Sequence, residues 1–226
     1  MFWFFFSKKN ILSSLGFDGI RHYNFIAATS VERLAALSDG VFAVAMTLLV
    51  LDLHTPAAAL VHNDDDLMQA IWKLAPQLLV YMMSFLTLGI FWVGQQTQLN
   101  HFTGTDRDVS WVHLLFLFVV SLMPFSTSLM SAFIFYRAAL VVYWLNILAL
   151  GAALLFSWRM AMRHGLLTEA ARERSYAIQQ RIVSAQALYA FGAMLCIYST
   201  LLSLGFIVLV QLNYAIAPKG LRKVIP

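Results

Sequence analysis

Cysteine and charge are both scarce in this chain, and each scarcity removes a class of protein. A single cysteine, Cys196, stands among 226 residues, which excludes an intrachain disulfide framework and a cysteine-based metal site. Only 12% of residues are charged against 61% hydrophobic, and the mean hydropathy is +0.74. Such a composition excludes an ordinary water-soluble domain and leaves no nucleic-acid partner to expect. The long apolar runs also lack the period-two alternation of barrel strands. The fold class expected is therefore an all-α integral membrane protein.

What is present is organised around the stretch Leu37 to Leu53. With Arg33 to Ala36 in front of it, this stretch is long enough to cross a hydrocarbon core of roughly 30 Å as a helix. It nonetheless carries Ser38, Asp39 and Thr47, and a carboxylate at membrane depth is costly unless it is partnered or faces water. At about 100° per residue, Gly40, Val44, Thr47, Leu48 and Leu51 share one stripe, with Asp39 roughly opposite Leu48. Asp52 falls about 40° from the Leu48 line, at the mouth of whatever the stripe lines. For an arbitrary membrane helix, plain packing would explain the stripe.

Five further apolar segments follow. The second is expected from about Leu67 to Val93, after an acidic outer loop holding Asp64, Asp65 and Asp66. The third runs from about Ser110 to Met130 with a kink at Pro124, and the fourth from about Arg137 to Trp158. A charged link, Arg159 to Arg181, precedes the stretch Ile182 to Ala217, which suits two spans joined near Ser199 and Thr200. Six transmembrane helices per subunit result. With the N-terminus inside, only Lys73 and Arg137 among the fifteen basic residues fall outside, which fits a multi-pass cell-membrane protein with both termini cytoplasmic. Residues 1–30 read as a cytoplasmic or interfacial lead-in, 31–217 as the six-helix domain and 218–226 as a basic cytoplasmic tail. Thr29 or Ser30 is placed to cap the first helix.

The pattern Arg33-x-x-x-Leu37-Ser38-Asp39 followed by Gly-Val-Phe-Ala-Val-Ala-Met-Thr-Leu-Leu-Val-Leu resembles the signature first helix of the transmembrane protein 175 family of potassium channels, in its prokaryotic single-repeat form. The family normally has Phe at the position of Leu37 and commonly Ile at that of Val44. The likeness continues through the run ending Trp92-Val-Gly-Gln95-Gln96, where many relatives carry His-His, and through Ser121-Leu-Met-Pro-Phe-Ser-Thr-Ser. Glutamine hydrogen-bonds at these positions but does not titrate near neutral pH.

The resemblance implies a homotetrameric pore lined by the first helix, passing K+ down its gradient through a hydrophobic constriction. Val44, Leu48 and Leu51 are its implied constriction, Thr47 a polar ring beside it and Asp52 the outer mouth. Leucine rings do not replace an ion's hydration shell as carbonyl filters do, so ring width would set both gating and sieving. A Thr47 hydroxyl either offers oxygen to an ion or bonds its own backbone. Arg33, Ser38, Asp39, Trp92, Gln95 and Gln96 are the implied structural polar network. His54 and His62 match no metal-ligand spacing, His101, His113 and His164 are scattered, and no cofactor or metal is expected. No nucleophile–base pair suggests an enzyme. The alternatives are a secondary transporter of a small cation and a proton-permeable leak pathway.

Overall fold

The computed structural model describes residues 30–58 and 61–216; the expected lead-in and basic tail lie outside them. Helix α1, Val31–Leu48, begins where the Ser30 hydroxyl accepts from the Arg33 amide at 3.2 Å, with Glu32 in the positive first turn. A tighter turn, Leu49–Asp52, continues it before Leu53 becomes extended. Its buried side carries Leu34, Ser38, Phe42 and Ala45, then Leu49, and packs against α3 (Ala75–Leu99) and α4 (Arg107–Ser121).

Two of the expected spans divide, each just ahead of a proline. The acidic stretch is helical rather than a loop: it opens α2, Asp64–Lys73, where the Asn63 side chain accepts from the Asp66 amide at 2.8 Å. Asp66 in turn accepts from the His62 amide at 3.1 Å, a reciprocal cap with three carboxylates at the positive helix end. Pro76 lacks an N–H and its ring would strike the carbonyl four residues earlier, so the chain breaks at Leu74 and α3 starts afresh. Pro124 acts in the same way. It ends α4 at Ser121 and opens α5, Met123–Ala132.

Helix α6, Arg137–Arg163, runs five residues beyond its expected end. It stops at Gly165, whose φ of 72° turns the chain left-handed. The amides of Leu166 and Gly165 then donate back to the carbonyls of Ala161 and Met162 at 2.9 and 3.3 Å, closing the helix end. The charged link is mostly helical as well, divided between α6, a short α7 (Glu169–Glu173) and the opening turns of α8 (Ser175–Met194). A tight turn at Leu195–Ile197 leads to α9, Thr200–Ile216, so the last apolar stretch divides where its length required.

Large outward side chains on α4, among them Trp111, Leu115 and Phe118, are exposed at helical spacing, as a lipid-facing surface requires. Among the described residues, four segments are long and apolar enough to cross a bilayer: Val31–Asp52, Ala75–Leu99, Arg107–Ala132 and Arg137–Arg163. The protein is an all-helical membrane protein. Its main core gathers Phe42, Leu49, Met83, Phe116, Tyr143 and Leu150, and a smaller one at the end where α1 begins joins Leu34, Leu99, Phe102 and Trp158.

Candidate functional site

Adjacent residues on α1 enter two hydrogen-bonded clusters. Ser38 is fully buried, and its hydroxyl donates to the Leu34 carbonyl at 2.7 Å while accepting from Gln95 Nε2 at 2.7 Å. Gln95 Nε2 also lies 2.6 Å from His113 Nε2, which is itself 3.1 Å from the Ser38 hydroxyl. Three helices therefore meet at one triangle of polar atoms, and in a dry interior such a triangle fixes their register. Asp39, next along and exposed, accepts from Trp92 Nε1 at 2.8 Å and from Gln96 Nε2 at 2.6 Å, both on the same carboxylate oxygen. Trp92, Gln95 and Gln96 converge because spacings of three and four residues place them on one face of α3.

Of the expected network, Ser38, Asp39, Trp92, Gln95 and Gln96 come together and Arg33 stands apart. Arg33 precedes Asp39 by six residues, about 120° around the helix, and its guanidinium makes no hydrogen bond among the described residues, while its amide donates to the Ser30 hydroxyl. His113 was missed because one imidazole in an apolar helix carries no spacing signal. A second buried chain also escaped sequence reading. Thr127 donates to the Ser84 hydroxyl at 2.8 Å, Ser84 to the Tyr143 hydroxyl at 3.4 Å, and Gln211 to the Thr87 hydroxyl at 2.6 Å, with Thr87 and Tyr143 3.1 Å apart. Its sequence signal was available on α3, where Ser84, Thr87, Gln95 and Gln98 all fall on the buried face.

The opposite face of α1 is bare. Val44, Leu48 and Leu51 are 58%, 42% and 68% exposed, and a Cβ added to Gly40 would meet nothing within 4 Å. The Thr47 hydroxyl, on the same face, lies 3.0 and 2.9 Å from the Ala43 and Val44 carbonyls. Its proton is spent on the helix backbone, and both lone pairs of its oxygen remain as acceptors. Asp52 closes the segment half-buried, its carbonyl 2.9 Å from His54 Nδ1.

One further cluster, Asp106, Asp108 and His164, brings its ligand-type atoms within 4.8 Å of one another. Asp106 is already engaged: one carboxylate oxygen caps α4 through the Val109 amide at 2.8 Å and the other pairs with His164 Nδ1. That arrangement ties the start of α4 to the end of α6.

The family model described as endosomal/lysosomal potassium channel TMEM175 matches residues 33–124, the part of the chain that holds both polar clusters and the bare stripe. A potassium channel of Streptomyces collinus is 33% identical over 139 residues, covering 60% of this chain and 66% of that relative, which is just under two thirds of its length. A potassium channel of Chamaesiphon minutus is 29% identical over 189 residues, covering 81% and 93%. An endosomal/lysosomal proton channel of Mus musculus is 32% identical over 112 residues, 47% of this chain but only 22% of that protein. Among solved structures, the crystal structure of a lysosomal potassium-selective channel homologue from Chamaesiphon minutus superposes with a TM-score of 0.71 at 27% identity, covering 84% of this chain and 98% of that one.

Proposed function

We propose that this chain is a member of the TMEM175 family of potassium channels and is itself a potassium-permeable channel subunit, not an enzyme. Four copies, each of six membrane-spanning helices, place their first helices around one axis in the cell membrane, with both termini in the cytoplasm. Val44, Leu48 and Leu51 form the constriction and Asp52 the outer mouth. The observation that carries this reading is the bare stripe of α1. An apolar face so exposed, on a helix whose other side is locked by buried hydrogen bonds, suits a surface lined up with its own copies around a pore.

Within that pore, apolar rings dewet when narrow and pass a partly hydrated cation when slightly wider. Val44 has one carbon fewer than the Ile common in the family, which widens the first ring and leaves Leu48 as the tighter one. Thr47 serves both roles weighed for it, because a hydroxyl donating to its own backbone still presents oxygen to a passing cation. Asp39, held by Trp92 and Gln96, sets how α1 docks on α3 and acts on gating and assembly rather than on ion choice.

The test is the reversal potential of purified protein in liposomes under opposed potassium and sodium gradients. A value near the potassium equilibrium potential, moved by Leu48→Ala, supports the reading. Saturable flux coupled to a second ion, without unitary currents, contradicts it. A second reading, proton conduction along the same path, is favoured by the likeness to endosomal/lysosomal proton channels of Danio rerio and Mus musculus. A pH-sensitive dye inside the same liposomes separates the two.

A further inference from the structure

Away from α1's bare stripe, a half-open groove of about 620 Å³ runs between α3, α8 and the end of α9, with Leu154 and Trp158 of α6 behind it. That volume falls within the roughly 300–1,000 Å³ usual for ligand sites. Its walls are overwhelmingly apolar, and the α3 wall alone extends from Phe85 to Gln98, about 20 Å along the helix axis. Gly89 and Gly94 lie on that wall, where the absence of side chains leaves room.

Two features give this groove polarity. Arg181, on the second turn of α8, is the single Lys, Arg, Asp or Glu among the lining residues, and its guanidinium makes no hydrogen bond or ion pair among the described residues. Deeper along the same helix, the side chain of Tyr189 is 2% exposed, yet its hydroxyl has no hydrogen-bond partner; nor does Gln186 Oε1 beside it. Buried polar atoms are nearly always partnered, so an orphaned donor at the wall of a groove marks a place where a ligand's acceptor belongs. A cation at one end, apolar walls and an unpartnered donor partway along match an amphiphile with an anionic head, an ester carbonyl and an acyl chain.

We propose that this groove binds one anionic membrane glycerophospholipid, with its phosphate at Arg181, an ester carbonyl accepting from the Tyr189 hydroxyl, and an acyl chain laid along α3. Arginine suits this position because its fork pairs with phosphate oxygens in two parallel bonds. The lining also includes Met46 on α1 and Trp92, the residue that holds Asp39, so an occupant touches the helix that carries the bare stripe. The binding claim stands apart from the channel reading, and its test measures lipid rather than current.

The full chain is reconstituted in equimolar phosphatidylglycerol and phosphatidylcholine, re-extracted in mild detergent, and its retained lipid is quantified per protomer by mass spectrometry. Phosphatidylglycerol is expected to be retained over phosphatidylcholine. Arg181→Glu should lower that preference by about tenfold, and Ala185→Phe, which fills the groove, should expel both lipids. Arg181→Gln and Tyr189→Phe, which change little volume, serve the same purpose if either of those variants fails to fold. Retention of no lipid, or equal retention of both, overturns the proposal. So does a preference that none of the variants disturbs, or retention that begins only when residues 1–29 are deleted, which would make the chain's own N-terminal segment the occupant.

Discussion

Replacing Asp39 by alanine removes the acceptor of two short hydrogen bonds, from Trp92 at 2.8 Å and Gln96 at 2.6 Å. Bonds to a charged group contribute roughly 1.5–3 kcal/mol each when sheltered. Both Asp39 and Trp92 are exposed, so water replaces part of what is lost, and about 2–3 kcal/mol of α1–α3 docking energy remains at stake. That corresponds to about a 30- to 150-fold shift between docked and undocked first helices. Ser38 continues to hold α1 through Gln95, so the protomer folds and the deficit falls on assembly and gating. Single-channel recording together with a cross-linking assay of tetramer fraction checks this. Asp39→Ala should lower open probability or tetramer yield at least about tenfold while leaving the potassium–sodium reversal potential in place. Asp39→Asn, which keeps an acceptor oxygen, should fall between. A variant with normal assembly and gating but altered ion preference would refute the reasoning and move Asp39 into the conduction path.

Other outcomes follow from the same geometry. Leu48→Ala enlarges the proposed constriction and should raise conductance while weakening potassium–sodium discrimination, whereas Val44→Ile adds a methylene per subunit to its ring and should lower conductance; both are read in planar bilayers. His113→Ala leaves the Gln95 amide and the Ser38 hydroxyl short of a partner in a dry interior, a loss of about 1–3 kcal/mol visible as a lower melting temperature in detergent. Gly192→Ala would set a Cβ 2.9 Å from Phe206 Cδ1 and 3.0 Å from Ile207 Cγ1, where α8 and α9 are in close contact. Overpacking of that kind costs about 1–3 kcal/mol, and the same melting assay detects it.

Much of the architecture was legible because lipid leaves the backbone so few options. Apolar length located the four described segments long enough to cross a bilayer, Ser30 fills the capping place expected of Thr29 or Ser30, and the wheel of α1 separates Val44, Leu48 and Leu51 from Ser38. Pro76 and Pro124 stood in plain view, but a hydropathy window averages across them, so each segment read as one helix, the third kinked at Pro124, where the structure has two. Asp64 to Asp66 read as a loop because charge suggests solvent, whereas the Asn63 side chain accepts from the Asp66 amide and the Asp66 carboxylate from the His62 amide, which starts a helix. Partners in space were harder. Trp92 and Gln96 were named with Asp39 through family likeness, but nothing local in the third apolar segment pointed to His113. The chain from Thr127 to Gln211 joins residues far apart in sequence, which only the packed bundle brings together.

The most direct test of the pore itself is thiol modification during single-channel recording, in a Cys196→Ser background so that no native thiol responds. Cysteine is introduced singly at Val44, Leu48 and Leu51, and at Phe42 and Leu49 on the buried side of the same helix. If four first helices line the conduction path, a cationic thiol reagent blocks current irreversibly at Val44, Leu48 and Leu51 and leaves Phe42 and Leu49 untouched. Block confined to the buried-side positions, or no block at all three stripe positions in a conducting channel, would mean that potassium passes elsewhere and that the bare face of α1 is a packing surface.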